Sequence, residues 1–558
     1  MAKIIKDPIY GYIELPNFQI NQIIDTPVFQ RLRDITQTSY KPLYPSATHT
    51  RFTHSIGVYY LGHLAVNSLV QSLLENFPDC REKISDLQSV FELACLLHDV
   101  GHAPFSHTTE KFFLKNGEKT ELNKKLADIT GDTNLVYEIA RNGYKAASHE
   151  LMSAIIGIKE FKNAIGSDLS FFARCITGFK YSPSIDGQKI SKEQNIKNCF
   201  IELLNSKVID VDKLDYLIRD AYVTGYDSVN IDYKRLLNSI CFMEDSEEYK
   251  VCYNKNAVSV LENVVYARDS EKKWIQNHPS VLYEIYLLEN ITAEVLTVKL
   301  KSDIFLENYL SEKGLKTTSG IVRLMGDSDL CFLMKNLADS NFVNEYYDRN
   351  LRKKPVWKSE AEFHAIFKEK KIIDKIIETF FLLQKSLKTL NSNFVVNASV
   401  IDSVESDVKQ IEEEMADLPV SETGKRERLQ DLLDERKTEI NWLKILFDFA
   451  KDNAGGKQPE LLILFAEPFI SGFSNEDFSN LSVIFPEAKT PFKFSDVSNV
   501  LSSGRMFENK FFYIYFNRDI SKTEVSIKNL YKNLTTAARE LIQKEEQEKT
   551  AKTAENLI

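Results

Sequence analysis

The sequence has few of the features that mark secreted, membrane or nucleic-acid-binding proteins. Its 558 residues contain seven cysteines, scattered singly, so neither a disulfide framework nor a zinc knuckle is indicated. No run of about 18 apolar residues occurs, and the first residues lack the apolar core of a signal peptide. An overall basic excess is also missing, because the net charge is -10. These absences predict a cytoplasmic protein without a membrane partner, and they disfavour nucleic acid as a ligand.

What the chain does have is enough apolar sequence for more than one module. Hydrophobic residues make up 43% of it, and from about residue 54 they recur at three- and four-residue steps. Strand signals are few, so a mainly α fold is expected. The predicted organisation is a helical N-terminal domain over 1–300, a helical extension over 301–401, a charged helical hairpin over 402–445, a small α+β region over 446–542 and a fraying polar tail over 543–558. We expect the hairpin to be a structural or subunit-contact arm.

Histidine is concentrated at one end of the chain. Seven of the nine histidines lie in the first 150 residues, and three of them fall with one aspartate in HDVGHAPFSH, residues 98–107. His98 and Asp99 end an apolar helix, and the following Gly101 and Pro104 are interpreted as its terminators. Adjacent helical side chains diverge by about 100°, so this pair can serve one centre if a metal ion lies at the helix end. Imidazole and carboxylate together suit Fe, Mn, Zn or Co, and Mg where carboxylates dominate.

Two ligands are too few, and two further stretches offer partners. His54, in THTRFTHSIGV, opens a helix, and Asp212 lies in IDVDKLDYLIRD, a helix with more acids than a solvated face requires. A set of His54, His98, Asp99 and Asp212 predicts a mononuclear site with open positions for water and substrate. His63 and His364 are instead interpreted as ordinary hydrogen-bonded histidines.

Six stretches resemble a known family in their joint order. They are KDPIYGYIEL, IIDTPVFQRLRDITQ, ATHTRFTHSIGVYYLG, LLHDVGHAPFSH, SHELMSAII and IDVDKLDYLIRDAYVTG, within residues 2–240. The chain resembles the HD-domain phosphohydrolases, and within them the dNTP triphosphohydrolases and bacterial dGTPase-like proteins. The resemblance implies an HD-superfamily helical core over 1–300. It also implies hydrolysis of a dNTP to a deoxynucleoside and inorganic triphosphate.

The resemblance assigns roles to individual residues. It implies that the metal ligands are His54, His98, Asp99 and Asp212. The implied catalytic residues are His102, Glu110 and His149 as a supporting group and His107 as a candidate acid for the leaving group. The implied substrate-binding residues are Arg51, Lys213 and Arg268 for phosphate, Gln37, Tyr216 and Asp220 for the sugar, and His278. The alternative for His149 is a plain helix N-terminal residue.

Some positions depart from the family pattern. Glu110 stands where the family carries aspartate, and Thr38, Lys272 and Gln276 replace a leucine, a histidine and a tyrosine near the substrate. Selectivity for the base and sugar can therefore differ from that of the family. A second Mg accompanying the triphosphate is also consistent with the resemblance.

The family resemblance extends to a regulatory site and to assembly. The residues that match activator-binding positions are Lys3, Asp25, Arg33 and Arg235. They imply an activating nucleotide bound within a homo-oligomer, a dimer or tetramer, although Tyr12 and Lys6 differ from the family. An ion pair between Asp25 and Arg33 that ties two helices is the alternative. In a bacterium, such an enzyme would deplete nucleotides during phage infection.

Two other functions compete with the dNTPase hypothesis. One is HD-type hydrolysis of another phosphoester, such as a nucleoside monophosphate or a nucleotide second messenger. The other is a nucleotide-sensing or nucleic-acid-binding regulator with a residual HD site. All four ligand positions are intact in the sequence, which argues against a decayed site.

Overall fold

The protein is described by a computed structural model. It describes residues 3–112, 118–183, 189–226, 230–245, 248–299, 315–316, 322–390, 394–419, 422–486, 490–499, 510–517 and 523–555. The described chain forms two compact units. Unit 1 comprises residues 1–276, 284–343 and 470–507, and unit 2 comprises residues 277–283, 344–469 and 508–558. The first 14 residues of the predicted extension, 301–314, lie outside the described residues.

Helices dominate the molecule, so the prediction of a mainly α fold is confirmed. The longer helices, in chain order, are α1 Arg51–Asn76, α2 Arg81–Leu97, α3 Glu118–Thr130, α4 Leu135–Asn142, α5 Ser148–Ile165, α6 Leu169–Thr177, α7 Lys192–Leu204, α8 Val211–Thr224, α9 Tyr233–Leu237, α10 Val258–Glu271, α11 Pro279–Ala293, α12 Asp327–Leu337, α13 Asn341–Tyr347, α14 Glu360–Phe367, α15 Lys370–Leu390, α16 Ala398–Asp417, α17 Thr423–Asp452 and α18 Thr523–Glu555.

The strands are short. They are β1 Lys3–Asp7, β2 Gly11–Leu15, β3 Ile240–Asp245, β4 Glu248–Asn254, β5 Leu315–Lys316, β6 Val322–Arg323, β7 Lys354–Pro355, β8 Val395–Val396, β9 Leu461–Phe465, β10 Ser482–Ile484, β11 Phe492–Lys493 and β12 Phe512–Phe516. In unit 1, β1 and β2 form an antiparallel hairpin, β5 pairs with β6, and a sheet has the order β11-β10-β4-β3. In unit 2, one sheet has the order β7-β12-β9-β8.

The long helix α1 runs through the core of unit 1. It packs against α2, α8 and β3, and it is buried on several sides rather than along one stripe. Two glycines let its neighbours come close. A Cβ on Gly57 would lie 2.0 Å from Oδ1 of Asp215 in α8, and one on Gly62 would lie 2.6 Å from Sγ of Cys95 in α2. The glycines therefore set the spacing of the three helices that carry the site described below.

Unit 2 contains the predicted helical hairpin, formed by α16 and α17. An apolar cluster that includes Val408, Ile411 and Leu433 joins the two helices. The ion pairs Glu405–Lys444 and Glu412–Lys437 show that the helices run antiparallel. Exposed pairs of this kind contribute roughly 0–1 kcal/mol each, so the apolar stripe is the main source of cohesion. The proposed role of this hairpin as a structural or subunit-contact arm stays a prediction.

The C-terminal part of unit 2 has strands where the sequence predicted them. Strands β9 and β12 lie within the predicted α+β region over 446–542 and pair antiparallel. Helix α18 continues to Glu555 and so includes most of the segment expected to be a polar tail. Among the described residues, no helix is both long and apolar enough to cross a membrane.

Candidate active site

Three helices bring four predicted ligands together in unit 1. His54 lies in the first turn of α1, His98 caps the C-terminus of α2 with Asp99 after it, and Asp212 lies in the first turn of α8. Residues 54, 98 and 99 are buried, whereas Asp212 is partly exposed. We call these four residues the metal cluster.

The potential ligand atoms of the metal cluster point at a common centre. Nε2 of His54 lies 3.0 Å from Oδ1 of Asp212 and 3.3 Å from Nε2 of His98. Oδ1 of Asp99 lies 3.5 Å from Nε2 of His98. Ligand atoms of His54, His98 and Asp99 all lie within 4.8 Å of one another, which allows them to hold one metal ion. The helix-end geometry inferred from HDVG is therefore present.

Each imidazole has its Nδ1 fixed by a protein partner and its Nε2 turned toward the centre of the metal cluster. Nδ1 of His54 lies 2.7 Å from Oδ2 of Asp215, and Nδ1 of His98 lies 2.9 Å from the backbone oxygen of Cys95. When these Nδ1 atoms donate, the proton is fixed away from the centre and Nε2 keeps its lone pair. This is the arrangement in which a histidine ligates a metal.

The electrostatics of the cluster fit a bound cation. Burial opposes protonation of His54, but hydrogen bonds with Asp212 and Asp215 outweigh it and raise the pKa of His54 to about 9. The pKa of Asp99 is lowered despite burial, because Arg51, His98 and His54 stabilise the carboxylate. The surrounding carboxylates thus attract positive charge to the centre. A divalent cation supplies that charge and uses the donors present.

A buried network supports His54 from behind. Arg219 donates from Nε to Oδ2 of Asp215 at 2.9 Å, and the hydroxyl of Tyr10 donates to Oδ1 at 2.7 Å. Nη1 of Arg219 donates in turn to Asp7 at 2.9 Å. Arg219 and His54 together lower the pKa of Asp215 to about 2 against the effect of burial. Asp215 therefore remains a carboxylate that orients the His54 ring.

The loop after His98 is fixed by several backbone contacts. Gly101 was interpreted as a helix terminator, but α2 has already ended at Leu97. A glycine is needed at position 101 for a different reason, because a Cβ atom there would lie only 2.4 Å from the backbone nitrogen of Ser153 in α5. Phe105 and Ser106 both have φ of 54°, the left-handed region that non-glycine residues rarely adopt. This strained turn lies between His102 and His107, whose rings both contact the ring of His149 in α5.

Three histidines meet beside the metal cluster. The rings of His102 and His149 stack at 4.3 Å between centroids, and His107 stands nearly perpendicular to both at 4.8 and 4.9 Å. We call them the histidine triplet. Nε2 of His102 lies 3.9 Å from Oδ1 of Asp99, so the triplet adjoins the metal cluster. His102 is buried, His149 is mostly buried, and the side chain of His107 is 64% exposed.

Glu110 links two members of the triplet. Its carboxylate lies 3.2 Å from Nδ1 of His107 and 3.3 Å from Nδ1 of His149, and it accepts a bond from the His149 backbone nitrogen at 2.9 Å. Burial lowers the pKa of His149, but the bonds to Glu110 outweigh burial and raise it. Burial, reinforced by Arg51 and His149, holds the pKa of His102 well below its usual value. The triplet thus contains one imidazole that favours a proton and one that remains neutral.

The residues predicted to contact phosphate have partners within the protein. Nη1 of Arg51 donates to Asp99 at 2.7 Å and its Nε donates to Ser106 at 2.9 Å. Nζ of Lys213 donates to Oδ2 of Asp210 at 2.6 Å. Arg268 keeps a buried Nη1 without a hydrogen-bond partner among the described residues. Of the three, Arg268 therefore has the clearest unused donor.

The predicted sugar-contacting residues Gln37 and Asp220 are buried in unit 1, and Tyr216 is partly exposed there. The side-chain oxygen of Gln37 has no hydrogen bond among the described residues, and Oδ1 of Asp220 lies 2.7 Å from Nε2 of His49. His278 belongs to unit 2, where its Nδ1 accepts a bond from the backbone nitrogen of Ser280. Its predicted substrate role stays a prediction.

The predicted activator residues lie at the surface of unit 1. Nζ of Lys3 pairs with Asp25 at 2.9 Å, and both side chains are about half exposed. Arg33 donates to Gln30 and stacks on the ring of Phe52 at 3.6 Å. The alternative of an ion pair between Asp25 and Arg33 is not seen, since each has another partner. Arg235 lies in the short helix α9, and its side chain is exposed.

Sequence reasoning did not select several residues that shape the site. Asp215 was noticed only as one acid among several in α8, although its spacing of three from Asp212 places both on neighbouring parts of the helix surface. No local sequence pattern marks Asp7 and Tyr10 as site residues, because the α8 residues that they contact are more than 200 positions away in the sequence. A buried acid, Glu271, was also missed.

The comparisons with known proteins match the part of the chain that carries the site. The model of the HD domain matches residues 51–165. The deoxynucleoside triphosphate triphosphohydrolase SAMHD1 of Xenopus laevis is 33% identical over 283 residues, which are 48% of this chain and 42% of that protein. The human SAMHD1 is 32% identical over 50% of this chain and 42% of its own. This chain thus spans less than half the length of these relatives.

Two further matches cover a larger share of this chain. An uncharacterized protein of Methanocaldococcus jannaschii is 28% identical over 65% of this chain and 67% of its own. A crystal structure of a hypothetical protein from Aquifex aeolicus has a TM-score of 0.51 and 18% identity, and it covers 95% of this chain and 100% of that one. At this identity the structural match concerns the fold alone. The matched model and the converging His and Asp side chains together show that residues 51–165 of this chain carry an HD domain.

Proposed function

We propose that this protein is a metal-dependent deoxynucleoside triphosphate triphosphohydrolase. The observation that carries the proposal is the contact between the two groups of the site, where Asp99 of the metal cluster lies 3.9 Å from His102 of the histidine triplet. A site for a divalent ion and a set of proton-carrying imidazoles therefore adjoin each other. Phosphoester hydrolysis requires both an activated water and a proton for the leaving oxygen.

The metal cluster would hold the ion through Nε2 of His54 and His98 and through the carboxylates of Asp99 and Asp212. When bound, such an ion lowers the pKa of water and makes a nucleophile available near neutral pH. The residues of the chain fix the site around it. Asp215 orients His54, and the salt bridge from Arg51 keeps Asp99 ionised.

The histidine triplet supplies protons and hydrogen bonds to the substrate. His149, paired with Glu110, is the imidazole whose pKa is raised, so it carries positive charge toward the phosphates. Both ring nitrogens of His102 are buried without a hydrogen-bond partner among the described residues, so the nitrogen that carries the proton can donate to a substrate oxygen. His107 stands at the exposed edge and is our candidate donor to the leaving 5′-oxygen. Donors aimed at developing charge are a principal source of catalysis in such sites.

The similarity to dNTP triphosphohydrolases supports this substrate class, and so do the predicted sugar-contacting residues Gln37, Tyr216 and Asp220, which we call the sugar pocket. Tyr216 and Asp220 lie four residues apart in α8, on the same side as Asp212. A tyrosine ring against C2′ leaves no space for a ribose hydroxyl, and a carboxylate can accept from the 3′-hydroxyl. Arg268, Lys213 and a second Mg would balance the charge of the triphosphate.

We propose in addition that a nucleotide bound near Lys3, Asp25, Arg33 and Arg235 activates a homo-oligomer. The exposed Lys3–Asp25 pair supports this idea, because its charges are accessible to a ligand. In a bacterial cell, the reaction would deplete dNTPs during phage infection.

The test is product analysis with purified protein and Mn or Mg. Each dNTP is supplied singly and in pairs, and triphosphate is resolved from pyrophosphate and monophosphate. We expect triphosphate and deoxynucleoside, with no product from the His98→Ala variant. The matched control is His63→Ala, since His63 pairs with Glu92 outside the site.

Release of only monophosphate or pyrophosphate would establish hydrolysis of another phosphoester bond instead. A biological effect that persists in a metal-free Asp99→Ala variant would favour a regulator.

A further inference from the structure

An acidic residue without an assigned role lies in the sugar pocket of unit 1. Glu271 is the last residue of α10, and only 4% of it is exposed. Oε1 accepts bonds from Nε2 of Gln276 at 2.9 Å and from the hydroxyl of Tyr40 at 3.3 Å. Oε2 is buried and has no donor among the described residues. Half of the hydrogen-bonding capacity of this carboxyl group is therefore unused.

A second buried carboxyl group, that of Asp220, lies near Glu271, because the charge of Asp220 contributes to the pKa of Glu271. Two neighbouring buried carboxyl groups cannot both ionise cheaply, so one of them keeps a proton. Burial, followed by the charge of Asp220, raises the pKa of Glu271 well above its usual range. Glu271 is consequently the protonated member, which can donate one hydrogen bond and accept others.

The surroundings of this pair contain further unused polar atoms. Nε2 of His49 lies 2.7 Å from Oδ1 of Asp220, and the opposite ring nitrogen, Nδ1, is buried. Within the part of the chain that the structure describes, neither this Nδ1 nor the side-chain oxygens of Gln37 and Thr38 have a hydrogen-bond partner. Gln37 is joined to this group because its backbone nitrogen donates to the oxygen of His49 at 3.1 Å. Buried polar groups are nearly always paired, so this cluster is built for a polar ligand.

We propose that Glu271 is a specificity-determining residue that hydrogen-bonds the sugar of the bound nucleotide, at the hydroxyl that Asp220 also contacts. This inference rests on the proposed function and names its sugar-recognition element. A hydroxyl group placed between the two carboxyl groups accepts from Glu271 and donates to Asp220. A 2′,3′-dideoxynucleotide lacks that hydroxyl, so the carboxyl groups of Glu271 and Asp220 lose this hydrogen-bond partner.

The experiment compares dNTPs with the corresponding 2′,3′-dideoxynucleoside triphosphates. For each variant, kcat and KM are measured for both substrates, and the ratio of the two kcat/KM values gives the discrimination. Glu271→Gln keeps a neutral hydrogen-bonding group of similar shape, whereas Glu271→Leu removes it. The matched control is Glu262→Gln in the same helix, because Glu262 bonds Ser498 outside this pocket.

We expect the wild type to prefer the dNTP, since a site built to bond a hydroxyl rejects the analogue that lacks it. Glu271→Leu should reduce the discrimination about tenfold or more, through a higher KM for the dNTP, with little change for the dideoxy compound. Glu271→Gln should stay within about threefold of wild type. Equal losses with both substrates in Glu271→Leu, or unchanged discrimination, would overturn the inference. Thermal melting of each variant separates misfolding from a change in recognition.

A binding measurement keeps this inference separate from the proposed function. Non-hydrolysable α,β-imido dNTPs and their 3′-deoxy forms are titrated against wild type and Glu271→Leu. If the wild type hydrolyses no dNTP but Glu271→Leu loses the preference in binding, the proposed function fails and the assignment of Glu271 stands. If triphosphate is released and neither binding nor turnover distinguishes the variants, the assignment of Glu271 fails alone.

Discussion

The metal cluster and the histidine triplet are neighbours built from the same side chain, yet they are prepared for different chemistry. In the metal cluster, the two imidazoles face carboxylates, and each Nδ1 has a fixed partner. In the triplet, the imidazoles face one another, and Glu110 is the shared carboxylate. Three histidine nitrogens of the triplet are also close enough to hold an ion. Proximity of ligand atoms alone therefore does not separate the two groups.

What separates them is the charge and the fixed orientation around each imidazole. The acids of the metal cluster draw positive charge to its centre and raise the pKa of His54 to about 9. In the triplet, by contrast, burial and the charge of Arg51 keep His102 neutral. An ion gains more from the first environment than from the second. We therefore expect the cluster to keep its metal when the triplet is altered.

The largest loss of activity should come from removing Asp99, the carboxylate of the metal cluster that lies next to the histidine triplet. Asp99→Ala deletes a metal ligand and leaves Arg51 without its buried partner. Loss of the ion should lower triphosphate release by at least about 10³-fold, since it removes the activated water. Metal content by mass spectrometry and product release are measured on the same sample. An active Asp99→Ala enzyme with bound metal would contradict the assignment of Asp99.

A change in the triplet should lower turnover without loss of metal. His149→Ala removes the charged imidazole and frees Glu110, so kcat should fall about 10²- to 10⁴-fold. Metal content should match that of wild type. The control is His63→Ala, a histidine that also pairs with a glutamate, Glu92. If His149→Ala loses its metal, the two groups are not functionally separate.

A smaller effect should follow from changing the support of the metal cluster rather than a ligand. Asp215→Asn keeps the shape of the side chain but weakens the bond that orients His54. Changes of this kind typically reduce metal affinity about 10- to 100-fold. Competition with a chelating indicator measures the affinity, and kcat at saturating metal should change less. Unchanged affinity would show that His54 needs no support from Asp215.

The residues of this site that belong to a local sequence pattern could be predicted from the sequence. His98 and Asp99 were found because a helix ends beside them, and α2 does end at Leu97. His54 and Asp212 required a guess about tertiary structure, which the family resemblance reinforced. Asp7 and Tyr10 could not be found, since their role depends on the β1–β2 hairpin reaching α8. Glu271 was missed for a similar reason, because at the polar end of a helix it resembles a solvated acid.

The smallest predicted effect is a pH dependence that belongs to the metal cluster alone. In the metal-free protein, His54 holds a proton up to about pH 9, and a metal ion must displace it. Metal affinity should therefore rise about tenfold per pH unit up to about pH 9, the raised value of the His54 pKa, and level off above it. The stability of the metal-free fold should change in the opposite sense. A raised histidine pKa stabilises the fold fully below pH 6.5, and that contribution is lost as the pH rises through 9.

Two measurements distinguish this linkage from a general effect of pH. Calorimetric titration of the metal in buffers with different ionisation heats should show release of about one proton near pH 7.5. In Asp215→Asn, the carboxylate that raises the pKa of His54 is gone, so the plateau should move to lower pH. Metal affinity without pH dependence in the wild type would mean that His54 is neutral before the ion arrives. The environment of the metal cluster would then differ from that of the triplet in geometry only, and not in charge.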